Sequence, residues 1–253
     1  MAKNAYIGVS NVARKVSQPY IGVNNVARKI KGGYIGVNGV AREFFTGGKA
    51  LSSISEGTIV KLMEYGVAKE FYVVKHDYES GLNGSGRTLL LRRYVAGTND
   101  WNVNVKHNAY SGSTIDSLLN NGYLLNAFDA NTKSAIGTTT FYYVVGNKDT
   151  TVSTLSRSVF LLSAAELGFT VATADAGTAL PNATNYHNAY NESGSITSSW
   201  TRSPRVNTSD KVYTERAGNL YNYEVDRSQG FRPAFTLPAA AKFNPDTLEF
   251  ISV

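Results

Sequence analysis

Three histidines, His76, His107 and His187, are the only side chains of this 253-residue chain that ordinarily titrate near neutral pH, and they stand in unrelated contexts. No His-x-x-x-His or His-Glu pairing joins them, so their spacing offers neither a zinc site nor a base with its orienting partner. The absence of cysteine excludes disulfides, thiolate metal sites and cysteine nucleophiles. Asp129-x-Asn131 and Asp226 have the oxygen chemistry calcium takes, but the EF-hand order is missing and Asp129 reads better as a helix cap. The chain is therefore read as a non-enzyme with no cofactor and no metal. What remains is recognition chemistry. Trp200 and Arg202 combine an indole that stacks on a sugar ring with a guanidinium that holds hydroxyls, although the same pair also suits a framework role. Trp101 lies between Asn99-Asp100 and Asn102, which suggests a loop-borne ring. Tyr186 and Tyr190 sit among Asn, Ser and Gly, the composition of an adaptable recognition loop.

The elements that must position these groups begin with a repeat. Tyr6-Ile7-Gly8-Val9-Ser10-Asn11-Val12-Ala13-Arg14-Lys15 recurs from Tyr20 and again from Tyr34, a constant spacing of 14 residues. In each copy two β-prone runs flank Ser10-Asn11, Asn24-Asn25 or Asn38-Gly39, pairs suited to a two-residue turn with positive φ. Closing the turn there sets Val37 against Val40, Gly36 against Ala41 and Ile35 against Arg42, with Tyr, Gly and Ala on the other face. A string of such hairpins is too small to bury a core of its own and needs a larger surface or sister subunits. Charge is concentrated in the same place. Residues 1–50 carry eight basic groups against Glu43, a net of +7, while the rest of the chain sums to −1. That basic arm suits either a solvated face or docking onto an acidic protein surface. Nucleic acid is disfavoured because the cations follow the repeat rather than cluster. The attachment residues are read as Tyr6, Arg14, Tyr20, Arg28, Tyr34 and Arg42.

After a polar linker at 51–56, one domain is expected over 57–253. Thr58–Leu62, Glu70–Lys75 and Thr88–Arg93 read as three antiparallel strands. Ser113 and Asp129 read as caps of short helices, and Ser163-x-x-Glu166 as the start of a helical turn. Thr139–Val145 and Ser158–Leu162 read as strands, 170–198 as a long excursion loop, and 199–204, 211–214, 220–225 and 230–238 as the closing strands. Pro233 and Pro238 place the last of them at an edge or a bulge. No run approaches the length of a membrane span and no signal peptide is evident, so synthesis in the host cytoplasm is expected, with no membrane partner.

The tandem Tyr-Ile-Gly-Val-x-x-Val-Ala-Arg phrases resemble those of structural proteins from bacteriophages and phage-like particles. The phrases Gly57–Lys61, Ser113–Asn120 with Phe128, Val159–Ser163 with Glu166, Trp200–Pro204 and Gly230–Phe235 resemble a phage and bacterial surface domain distantly similar to formylglycine-generating-enzyme and C-type-lectin folds. Those resemblances imply an α+β chain: a β-hairpin arm followed by a C-type-lectin-like mixed domain with long loops. They imply a virion protein anchored by its arm to other tail, baseplate or capsid proteins as a homo-oligomer. The outer domain would be an adhesin for a cell-surface carbohydrate or, alternatively, a capsid or tail decoration that coats and reinforces without binding a receptor.

Overall fold

The computed structural model describes the strand backbones between residues 5 and 46, and residues 48–103, 105–171 and 174–253 with their side chains. Three hairpins come first: Ala5–Val9 with Val12–Val16, Tyr20–Val23 with Val26–Lys29, and Gly32–Val37 with Val40–Thr46. Their registers repeat. Ile7, Ile21 and Ile35 oppose Arg14, Arg28 and Arg42, and each closing Val opposes Val across the turn, as the repeat predicts. The turn pairs themselves, 10–11, 24–25 and 38–39, lie outside the described residues. Each hairpin is its own two-stranded sheet; among the described residues none pairs with another or with the rest of the chain.

The segment expected as a linker is built into the domain instead. Lys49–Ala50 joins Lys242–Phe243 and Phe250–Ser252 in a three-stranded sheet. A 3-10 turn at Leu51–Ser53 comes next, with Leu51 and Ile54 buried and the Leu51 and Ser52 amides donating to the Ala241 and Ala239 carbonyls at 2.8 and 2.9 Å. Two apolar residues in a polar stretch were enough to seat it in the core. Gly48 precedes this strand at φ +86, where a side chain would meet Lys242 Cβ at 3.0 Å.

Two larger sheets carry the domain. One is antiparallel, in the order Ala234–Pro238, Arg87–Arg92, Val67–His76, Ile59–Glu64. Its proline-ended strand sits at an edge, as Pro238 requires, and isolated bridges to Phe160 and Gly137 cover it. The other runs Gly97–Asp100, Ser228–Phe231, Ser199–Pro204, Lys211–Arg216, Asn219–Glu224. Only its Ser199–Gly230 contact is parallel. There Gly230 is obligatory, because a Cβ would lie 2.5 Å from the Ser198 carbonyl and 2.8 Å from Val95. One core cluster draws on both sheets, with Phe71, Leu89 and Phe235 from the first and Trp200, Val212 and Phe231 from the second. Phe141 and Phe160 stack within it at 4.4 Å.

The α+β expectation is corrected. The molecule is mostly β, with 42% strand and 15% helix spread over several small sheets. The helix starts are real, but only one of the helical runs reaches seven residues. Ser113 caps a run over 114–127 by accepting from the Asp116 amide at 3.1 Å, and that run loosens into a π-helix at Leu118–Tyr123, which contains Asn120-Asn121-Gly122. Asp129 caps the six residues Ala130–Ala135. The Ser163–Glu166 start gives the helical turn its capping residues suggest, stopped at Gly168 with φ +79. Ser158–Leu162 contributes a single bridge, at Phe160, rather than a strand.

Candidate functional site

The polar groups with the most developed geometry lie inside the domain, as three arginine–carboxylate pairs. Ser199–Pro204, an interior strand of the five-stranded sheet, delivers Arg202, which is 1% exposed. Its guanidinium grips Glu166 at both oxygens, Nη2–Oε1 2.7 Å and Nη1–Oε2 2.5 Å. It also donates to the Leu161 and Tyr142 carbonyls at 2.8 and 3.0 Å and lies over the Phe141 ring at 4.7 Å. Glu166 is placed by a reciprocal capping box: its Oε2 accepts from the Ser163 amide at 2.9 Å, and Ser163 Oγ accepts from the Glu166 amide at 3.0 Å. Tyr78 completes the cluster, donating to Glu166 Oε1 at 2.6 Å. Burial, and then the Glu166 charge, push the Tyr78 phenol well above its ordinary value. Burial alone would lower Arg202, but the Glu166 carboxylate outweighs it and holds the guanidinium above its usual range.

Arg232 obeys the same logic one strand away. Its Nη1 donates to Glu215 Oε1 and to the Tyr186 carbonyl, both at 2.8 Å, and its Nε donates to the Arg92 carbonyl at 3.2 Å. Glu215 Oε2 and Arg232 Nη2 make no hydrogen bond to another protein atom. Both residues border a small cavity lined by Leu91, Leu162, Leu167 and Trp200. Burial raises the Glu215 carboxyl against the opposing pull of Arg232 and His187. Arg92 forms the third pair, to Glu64 at 2.7 Å, and reaches outward to Glu192 at 2.7 Å and to the Tyr94 and Val95 carbonyls. Burial opposes ionisation of Glu192, yet the bonds from Lys69 and Arg92 prevail and lower it.

In each pair the arginine also binds carbonyls of neighbouring segments, so the pairs sew loops to sheets. Ions this deep and paired with each other select one arrangement of the chain rather than present reactive groups.

The sequence-nominated ligand residues join this interior. Trp101 is 0% exposed, its indole donating to the Ala109 carbonyl at 3.3 Å and packing edge-on against Trp200 at 5.7 Å. Trp200 donates to the Asn99 carbonyl at 2.9 Å. Tyr186 is fully buried beside Tyr72. A ring without free surface stacks on nothing outside, so Trp101 and Tyr186 are corrected from exposed recognition residues to core, and of the two roles open to Trp200 and Arg202 the burial fits the framework one. Trp101 misled because its polar neighbours work internally: Asn102 donates to the His107 carbonyl and accepts from the Thr114 amide. Tyr190 alone stays half-buried, on the two-residue strand Ala189–Tyr190 that pairs with Ile196–Thr197. Tyr6, Arg14, Tyr20, Arg28, Tyr34 and Arg42 have described backbones only, at equivalent register positions of the three hairpins.

The histidines are equally dispersed. His76 bridges Thr88 Oγ1 and the Ile54 carbonyl, His107 lies 3.4 Å from the Asn102 amide nitrogen, and His187 stacks on Phe169 at 4.2 Å. Among the described residues no three His, Asp or Glu side chains gather as metal ligands. Asp129 is occupied as a cap, Asn131 donates to the Ile251 carbonyl, and Asp226 pairs with Lys106 at 3.5 Å. No described helix is long and apolar enough to cross a membrane.

Sequence reasoning missed Glu64, Glu215 and Tyr78. Their signal was faint: Glu64 is a single charge at the end of a mostly apolar strand, and Tyr78 and Glu215 stand among polar neighbours that give no hint of burial. Comparison with curated proteins and with solved structures found no match. Residues 85–239, more than half of the chain, match a family described only as a domain of unknown function, and they hold both members of the Arg202–Glu166 and Arg232–Glu215 pairs. By that match the chain belongs to the DUF6273 family.

Proposed function

We propose that this chain is a non-enzymatic structural component of a phage or phage-like particle, held by its hairpin arm and presenting the DUF6273 domain outward. The observation that carries the reading is the arm: three hairpins of one register at one spacing, with a net charge of +5 over residues 6–46, each too small to be stable in isolation. Such a segment gains order and burial by lying against something larger, and its charge favours an acidic neighbour. The domain suits a passive role, because its ionised groups of greatest burial are consumed in mutual pairs.

Within that role, coating and reinforcement of the particle is the reading the buried aromatics favour. Trp101, Trp200 and Tyr186 are sealed in the frame, so a carbohydrate adhesin would have to rely on loop positions such as Tyr190. The test is incorporation. A variant lacking residues 6–46 should be absent from purified particles while its domain retains a cooperative unfolding transition. Full occupancy by that variant would refute anchoring by the arm. Exposing whole cells and a glycan array to the full chain separates the two outer roles, since a coating protein binds neither.

A further inference from the structure

The spacing of the hairpins says what the arm's partner must look like. Successive hairpins are joined by three residues, 17–19, and by two, 30–31. Crossing from Val16 to Tyr20, or from Lys29 to Gly32, the chain spans at most about 14 or 11 Å even when fully extended. Those joints connect open ends, because each hairpin begins and finishes on the same side of its turn. From Arg14 to Ile21, and from Arg28 to Ile35, is seven residues of chain, and one cross-strand step then reaches the next arginine, so the sites gripped by successive hairpins lie no more than about 30 Å apart.

The three hairpins also ask for the same thing. Arg14, Arg28 and Arg42 hold one register position, opposite Ile7, Ile21 and Ile35, and each repeat closes on Val opposite Val. The next position differs, Lys15 and Lys29 but Glu43, so the shared cation is the arginine. A single two-stranded hairpin is marginal in water, and an exposed ion pair is worth only about 0–1 kcal/mol. One hairpin on one site therefore binds weakly, whereas three linked hairpins gain about 10²–10⁴ in avidity when their sites match the spacing.

We infer that the arm's partner is a protein presenting a tandem acidic repeat, with one carboxylate per unit beside an apolar strip and neighbouring units no more than about 30 Å apart. A protein is favoured over nucleic acid because every repeat couples its arginine to Ile and Val, and a phosphate backbone offers no apolar surface to cover them. This inference rests on the anchoring role proposed above.

The experiment uses the full chain carrying three hairpins, two (residues 20–33 removed), one (residues 6–33 removed) or none (residues 6–46 removed). Each is produced in cells that make the native particle without their own copy, and dissociation from purified particles is followed with and without nuclease. Loss of one repeat should speed dissociation at least 100-fold. Arg14→Glu, Arg28→Glu and Arg42→Glu should each weaken retention to a similar degree. Ten Gly/Ser residues inserted at position 18 should reduce retention by relaxing the match. If the one-hairpin chain is retained as well as the three-hairpin chain, or if only one arginine matters, the repeating partner is refuted while anchoring stands. Release by nuclease would replace the protein with nucleic acid. Retention of the hairpin-free chain, or loss of the full chain, would refute anchoring itself.

Discussion

Replacing Arg202 by Met separates a frame held by buried ion pairs from one held by apolar packing alone. The substitution keeps an apolar stem but removes the guanidinium that partners a carboxylate only 1% exposed. Glu166 would keep the Ser163 amide and the Tyr78 hydroxyl, while the Leu161 and Tyr142 carbonyls would each lose a donor. Breaking a buried pair from one side typically costs about 3–5 kcal/mol. In a domain of this size that lowers Tm by roughly 6–20 °C, at about 2–4 °C per kcal/mol. Urea unfolding at neutral pH, with near-ultraviolet circular dichroism to verify native packing at zero denaturant, measures it. Arg202→Met combined with Glu166→Gln should cost at least about 1 kcal/mol less than the sum of the two single losses, since each alone strands a charged or polar partner. A loss below about 1 kcal/mol for Arg202→Met, or strict additivity in the double variant, would refute the claim that this pair organises the frame.

Glu215 gives a pH-dependent test. Burial raises its carboxyl in the folded state, so its favourable contribution is complete below the ordinary carboxylate value and is lost as pH climbs through the raised one. Glu215→Gln should therefore flatten the decline in stability above about pH 4.5, and an unchanged slope in urea titrations across that range would contradict it. Gly230→Ala should lose about 2–3 kcal/mol through collision with the Ser198 carbonyl and Val95, measured as a fall in the urea midpoint. Tyr186, pushed up to about 12 by burial, should stay protonated after exposed tyrosines have ionised, which a spectrophotometric titration compared with Tyr186→Phe would show.

The parts of this fold written in local sequence are readable from sequence alone. Alternation and a turn pair fix a hairpin's register, so Val37 against Val40 and Ile35 against Arg42 come directly from the repeat. Capping is also local, and Ser113 and Asp129 do what their side chains suggest. How far a helix runs past its cap depends on what its first turn meets: Glu166 is drawn inward to Arg202 and the expected turn stops there, whereas behind Ser113 the run goes on to Ala127, further than the short helix expected. The arginine–carboxylate pairs are illegible for a different reason. Their members stand 28, 36 and 17 residues apart in sequence, with no period relating them. Leu51 and Ile54 show the same limit, since their burial is decided by the Ala239–Ala241 segment that receives them.

The way the arm enters the domain has a mechanical consequence. A load applied to the hairpins arrives at Lys49–Ala50, a strand clasped by Lys242–Phe243, and then at the Leu51 plug in the core. Tension must therefore shear a ladder and extract an apolar side chain before the domain can be drawn away, so the rupture force is set by that clasp rather than by a slack tether.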